Sequence, residues 1–93
     1  MAHSHRRKWR VHARERFAER INIGISYNKF EWKWFHKGKY SVIKRDQETM
    51  ICLSLIDNMR VWFIVKVEGK KRRIVTFLTE QMAVLAIGQK TEQ

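Results

Sequence analysis

Near the start of the chain, one imidazole and two guanidinium groups recur at a spacing that suits phosphodiester chemistry. His12, Arg16 and Arg20 are four residues apart, so on a helix they form one column. Imidazole titrates near neutral pH and acts as a general base or acid, while guanidinium binds phosphate oxygens bidentately. RNA cleavage without a metal needs a 2′-hydroxyl deprotonated, an anionic phosphorus stabilised and a leaving oxygen protonated. The column therefore predicts a phosphate-binding or RNA-cleaving site.

The same column also has a non-catalytic interpretation. His12 with Glu15, and Arg16 with Glu19, have the i,i+3 spacing of ion pairs on a solvated helix face. The pattern alone fits both interpretations. They are distinguished by how the fold packs this helix and what its side chains contact.

Length, composition and charge predict one folded domain with a polyanionic partner. The chain has 93 residues, of which 44% are hydrophobic, and this suits one modest core. Its formal net charge is +11, from 20 Lys and Arg against 9 Asp and Glu. This charge favours RNA, DNA or an acidic protein as the partner. No apolar run reaches the roughly 18 residues of a membrane span, so we expect a cytoplasmic protein with no membrane contact.

Periodicity and turn residues predict an α+β fold. The predicted helices are residues 9–21, 26–37 and 80–87, the last capped by a threonine. The predicted strands form a four-stranded antiparallel meander and are residues 39–45, 49–56, 60–67 and 72–78. Asp57-Asn58 suits a tight hairpin turn. Residues 1–8 are then a flexible basic leader, residues 9–88 the single domain, and residues 89–93 a polar tail.

Residues 26–37 carry two overlapping periodicities. Tyr27, Phe30 and Trp34 are spaced as on one side of a helix, whereas Phe30, Trp32 and Trp34 alternate with charged residues as on a strand. We favour the helix because a serine begins the segment and a glycine follows it, as helix caps do. A helix that buries Phe30 and Trp34 leaves Trp32 to the side, as an exposed contact for RNA or a protein.

The third predicted strand is apolar on both faces, with Trp62 and Ile64 on one face and valines with a phenylalanine on the other. Such a strand lies centrally in a sheet that is covered on both sides, at least in part. Lys66 interrupts the apolar strand face that carries Trp62 and Ile64. It therefore lies either at the rim of the sheet or in a functional site. The single cysteine, Cys52, lies in a strand and predicts a buried, unreactive thiol.

Basic side chains concentrate in three regions, so a fold can bring them onto one surface. The second region also interleaves aromatic residues, and exposed aromatics beside cations suit stacking with unpaired bases. His36 is interpreted as a cation at a helix C-terminus. No metal-ligand spacing or glycine-rich phosphate loop is present, so we expect no metal and no cofactor. The predicted catalytic residues are His12, Arg16, Arg60 and Arg73. The predicted nucleic-acid-binding residues are Arg6, Arg7, Lys8, Arg10, Arg20, Trp32, Lys33, Lys66, Lys70, Lys71 and Arg72.

Two segments resemble small BrnT-like proteins of the RelE/ParE-like toxin superfamily. His12-Ala13-x-x-Arg16-x-x-x-Arg20 resembles their HA-x-x-R-x-x-x-R opening, and Arg73-Ile74-Val75-Thr76-Phe77 resembles their closing V-I-T-V strand. The order of helices, antiparallel sheet and final helix is similar across residues 9–87. The resemblance implies a toxin-type endoribonuclease, or a phage- or mobile-element-borne relative, held by an acidic antitoxin. The positions that match are His12, Arg16, Arg20 and Thr76.

The leading prediction is a toxin-type, metal-independent endoribonuclease that binds and cleaves RNA. His12 is then the general base or acid, Arg16 with Arg60 or Arg73 holds the scissile phosphate, and Arg20 with the basic leader positions the RNA backbone. The alternative is a non-catalytic phage- or plasmid-encoded module that binds nucleic acid or a host protein. A gyrase-directed toxin is a third possibility that the same superfamily allows.

Overall fold

Two helices, an antiparallel sheet and a closing helix follow one another in the computed structural model, which describes the backbone of residues 2–88 and the side chains of residues 10–88. The helices are α1 (Ala2–Arg20), α2 (Tyr27–Phe30), which continues as a π-helical turn (Glu31–Phe35), and α3 (Glu80–Gly88). The strands are β1 (Ser41–Arg45), β2 (Thr49–Ile56), β3 (Met59–Glu68) and β4 (Lys71–Leu78). The predicted α+β fold is confirmed. Among these residues no helix is both long and apolar enough to cross a membrane.

Several element boundaries differ from those predicted. Helix α1 begins at Ala2 and so takes in backbone that the sequence assigned to the leader. The reason is that residues 2–8 contain neither glycine nor proline and include good helix formers. Strand β1 begins at Ser41 because the two preceding amides still bond within the turn, Lys39 to the Trp34 carbonyl and Tyr40 to the Gly38 carbonyl. Residues 89–93, predicted as a polar tail, lie outside the described residues.

The segment of residues 26–37, whose two periodicities fit a helix or a strand, forms a helix, as we predicted. The Ser26 hydroxyl accepts a hydrogen bond from the Lys29 amide at 3.1 Å and so caps α2. Gly38 adopts a φ of 70°, the left-handed conformation that ends helices and that glycine adopts at little cost. The structure adds a feature that the sequence did not predict, because the segment widens into a π-helical turn after Phe30.

The sheet is a simple meander in the order β1-β2-β3-β4, with every neighbouring pair antiparallel. Asp57 and Asn58 have φ values of 52° and 67°, the positive angles of a type I′ hairpin turn. This turn sets the register in which Ile56 lies opposite Met59. Strand β3 is therefore interior and β4 lies at an edge, as the apolar pattern of β3 predicted.

One face of the sheet packs against α1 and α2 through a cluster of phenylalanine rings. Phe77 lies 5.0 Å from Phe17 and 5.5 Å from Phe30, and Phe30 lies 5.3 Å from Phe63, measured between ring centroids. The three pairs are edge-to-face, the geometry that the ring quadrupoles favour. Helix α1 contributes to the same core, in which Ala13 and Phe17 are buried.

The opposite face carries a second, smaller core, although the composition predicted only one. Trp62 and Ala83 are buried there between β3 and α3. The Trp62 indole Nε1 donates to Glu80 Oε1 at 2.7 Å, and the Thr79 hydroxyl caps α3 as predicted. The second core forms because β3 is apolar on both faces. Only part of this face is covered, and Leu85 on the outer side of α3 is 63% exposed.

Replacing Phe77 with alanine should lower the free energy of unfolding by about 3–5 kcal/mol, because the substitution leaves a cavity and removes the ring contacts. Chemical denaturation followed by circular dichroism measures the change. The control is Leu85→Ala, for which the exposed position predicts a change within about 0.5 kcal/mol. Equal effects of the two substitutions would contradict the assignment of the phenylalanine cluster as the main core.

Candidate functional site

Charged side chains gather around one pocket between the π-helical turn and the β3–β4 hairpin. The pocket has a volume of about 240 Å³. Its charged lining, termed the basic pocket, consists of Arg10, Glu31, His36, Glu68, Lys71, Arg72 and Arg73. The four Arg and Lys cations exceed the two carboxylates by a formal charge of two before His36 is counted. A pocket of this sign attracts an anion such as a phosphate group.

A buried carboxylate lies on the helical side of the basic pocket. Glu31 is only 8% exposed, and a buried carboxylate is costly unless it is paired. Arg10 Nη2 donates to Glu31 Oε1 at 3.2 Å, and His36 Nε2 lies 3.8 Å from Glu31 Oε2. These partners hold the carboxylate in place and connect α1 to the π-helical turn.

The π-helical turn explains why Glu31 and His36 meet. The His36 amide donates to the Glu31 carbonyl at 2.8 Å, an i→i+5 bond. In a regular α-helix residues five apart lie about 140° apart around the axis, so the two side chains would diverge. The wider turn brings them to one side, and such turns occur frequently at functional sites.

The hairpin side of the basic pocket presents guanidinium groups. Arg73 Nη2 donates to Glu68 Oε2 at 2.8 Å, and Lys66 lies opposite Arg73 with its Nζ 3.9 Å from the same oxygen. Arg72 Nη1 instead donates to the Tyr40 hydroxyl at 2.9 Å. A phenol orients the guanidinium without neutralising it, so Arg72 keeps its full charge and its other N–H donors for an anion.

Burial sets the protonation of two nearby groups. Desolvation, followed by the Glu31 charge, raises the pKa of Tyr27 from 10.0 to about 12, so its hydroxyl stays protonated in moderately alkaline solution. Desolvation raises the pKa of the Cys52 thiol to about 11, and its side chain is buried. The prediction of a buried thiol is confirmed, and little of the nucleophilic thiolate exists near neutral pH.

The structure brings together part of the predicted site. The predicted residues that line the basic pocket are Arg10, Lys71, Arg72 and Arg73. Lys66 adjoins it through Glu68, and Lys70 lies exposed in the hairpin turn. Trp32 and Lys33 are exposed on the π-helical turn. The side chains of Arg6, Arg7 and Lys8 lie outside the described residues.

None of the three residues of the predicted column, His12, Arg16 and Arg20, lines the basic pocket. Arg10 and His12 are two positions apart, which is about 200° around an α-helix, so they lie on opposite sides of α1. Arg16 Nη1 pairs with Glu19 Oε1 at 3.2 Å, the ion pair that the non-catalytic interpretation expected. Arg20 Nη1 donates to the Phe77 carbonyl at 2.9 Å and so fastens α1 to the edge strand β4. Both guanidinium groups thus have partners within the protein, and His12 itself is half-buried.

Arg60 and Arg73 belong to opposite ends of the sheet. Arg73 lies opposite Lys66 in the pairing of β3 with β4, whereas Arg60 is near the start of β3. The six residues from Arg60 to Lys66 span about 20 Å at the rise of a strand. Arg60 Nη1 instead lies 3.5 Å from Glu80 Oε2. One phosphate cannot contact both guanidinium groups.

The sequence pattern did not identify Glu31 as a site residue and indicated His36 only as a helix-end cation. The signal was weak, since a Glu and a His five residues apart do not share a face at the α-helical period. Among the side chains that the structure describes, no three of the His, Cys, Asp and Glu residues gather as metal ligands.

Protein stability should fall between about pH 10 and about pH 12, since the buried Tyr27 keeps its proton there while the unfolded chain, with a pKa of 10.0, loses it. Its contribution is fully present below the unfolded pKa and is lost as the pH rises through the folded one. Urea denaturation at about pH 9 and about pH 11 measures the loss. Tyr27→Phe, which cannot ionise, should lose less stability over this interval. Identical losses in the two proteins would contradict the burial of a protonated phenol.

Known proteins supply no assignment for this site. Comparisons of the chain with protein-family models, with curated proteins and with solved structures found no match. The resemblance of the opening helix and the last strand to BrnT-like proteins stays a prediction from those residues. The function must therefore be inferred from the contacts of the basic pocket.

Proposed function

We propose that this chain is a metal-independent endoribonuclease of the toxin type, which binds RNA in the basic pocket and cleaves it there. The observation that carries the proposal is the contact between the Glu31 carboxylate and the His36 imidazole within a lining of excess positive charge. A proton-transfer group beside anion-binding guanidiniums is what phosphodiester cleavage needs.

The cationic side chains bind the scissile phosphate. Arg72 is held by the Tyr40 hydroxyl with N–H donors to spare, and Lys71 and Arg73 flank it in β4. Charge-assisted hydrogen bonds from such groups strengthen as negative charge builds on the phosphate oxygens in the transition state. Arg10 completes the ring of cations from the side of α1.

The imidazole of His36 performs the proton transfer. In its neutral form it takes the proton of the 2′-hydroxyl, and the 2′ oxygen attacks phosphorus as the bond from phosphorus to the 5′ oxygen breaks. The proton then passes to the departing 5′ oxygen, leaving a 2′,3′-cyclic phosphate and a 5′-hydroxyl. The negative charge of Glu31, 3.8 Å from His36 Nε2, stabilises the imidazolium that forms. Each of these steps proceeds without a metal ion.

The net charge of the chain and its resemblance to BrnT-like proteins suggest which partner it has and where it acts. A formal net charge of +11 favours an acidic protein as the inhibitor that would hold such an enzyme, as the resemblance to toxin-type proteins implies. We propose a cytoplasmic protein of a phage or another mobile element, with RNA as its substrate and an acidic antitoxin or a host protein as its protein partner.

A single-stranded RNA oligonucleotide incubated with stoichiometric protein in EDTA tests the proposal. Wild-type protein should give fragments that end in a 2′,3′-cyclic phosphate. His36→Ala and Glu31→Gln should each slow cleavage roughly 100- to 10,000-fold, because the proton-transfer pair is broken. RNA affinity should change little, since the guanidiniums remain. Glu48→Gln, at an exposed carboxylate outside the pocket, is the matched control and should cleave normally.

Three results would overturn the proposal in distinct ways. Intact RNA with wild-type protein that nevertheless binds it would leave the non-catalytic binding module as the function. Cleavage that survives His36→Ala but is lost in His12→Ala would move the chemistry to the α1 column. Cleavage that requires an added metal ion would exclude proton transfer by His36 alone. Circular dichroism confirms that each variant is folded, and His36 tolerates replacement because its side chain is 46% exposed.

A further inference from the structure

Trp32 is exposed where neighbouring aromatic residues are buried. Its exposed fraction is 67%, whereas Phe30 and Phe35 on the same helical segment are buried in the main core. Trp34 stacks on Phe30 with an angle of 10° between the rings, so it also belongs to the core side. An exposed indole offers a flat apolar face on which another ring can stack.

The exposed indole adjoins the basic pocket. The ring centroids of Trp32 and His36 are 5.1 Å apart, and His36 lines the pocket beside Glu31. An aromatic surface therefore begins where the anion-binding lining ends. Lys33 and Lys37 are also exposed and add positive charge to the same stretch of chain. A ligand that fits both surfaces carries a phosphate and a flat ring next to each other, as a nucleotide does.

We infer that Trp32 is a stacking platform for an unpaired base next to the scissile phosphate, and that the substrate is single-stranded RNA; this rests on the proposed function. Stacking on an aromatic side chain contributes about 1–3 kcal/mol per base and tolerates every base. Bases inside a duplex are already stacked on their neighbours, so their faces are not free to stack on a protein side chain. The excess of cations around the platform favours a nucleic acid over an apolar protein segment as its occupant.

Binding of RNA that cannot be cleaved tests this platform separately from the chemistry. The probe is a fluorescently labelled RNA with 2′-O-methyl groups, used single-stranded and as a blunt duplex, with fluorescence anisotropy as the readout. Trp32→Ala should weaken binding of the single strand roughly 10- to 100-fold, whereas Trp32→Phe keeps a ring and should retain most of the affinity. The matched control is Leu85→Ala on α3, an exposed apolar residue that should have no effect.

Salt dependence distinguishes stacking from phosphate contact. Because an indole neutralises no phosphate, the slope of log affinity against log salt should be the same for wild type and Trp32→Ala. Unchanged affinity in Trp32→Ala, or equal affinity for single strand and duplex, would overturn the inference and leave the proposed cleavage intact. Absence of RNA binding by the wild-type protein would instead overturn the proposed function, and the platform would then serve a protein partner.

Discussion

The packing of phenylalanine rings between the two N-terminal helices and the sheet is the interaction on which the rest of this structure depends. Phe77 of the edge strand contacts Phe17 of α1 and Phe30 of α2, so one side chain positions both helices. Because β4 also carries Lys71, Arg72 and Arg73, the same packing determines which cations face the helices. The basic pocket lies at the polar edge of this contact between the helices and the sheet.

The electrostatics of the basic pocket depend on the burial of the Glu31 carboxylate. Glu31 is removed from water by the core beneath it, and its charge is balanced by Arg10 from another helix and by the nearby His36. A charge held in this way cannot relax without disturbing α1. The hairpin cations Arg73 and Arg72 are held by Glu68 and by the Tyr40 phenol, and they line the same pocket as Glu31 and His36. Preorganisation of this kind is what the proposed chemistry uses.

The elements of the fold could be predicted because each rests on local signals. Alternation along residues 49–56, the apolar run of residues 60–67, the Asp57-Asn58 turn and the threonine cap of α3 are all patterns over a few residues. The π-helical turn could not be predicted, because its sequence also satisfies the α-helical period. Its widening places Glu31 beside His36, and for this reason residue spacing indicated the His12 column instead.

By itself the sequence determined the α+β class, the order of the elements, the strongly positive charge and the cations of residues 71–73. Those properties depend on residue type and on spacing within one element. Only the tertiary structure decided that Arg20 fastens α1 to β4, that Arg60 and Arg73 lie far apart, and that Arg10, Glu31 and His36 share a pocket. The physical reason is that each of these facts depends on which side of an element meets another, and packing across the core sets that choice.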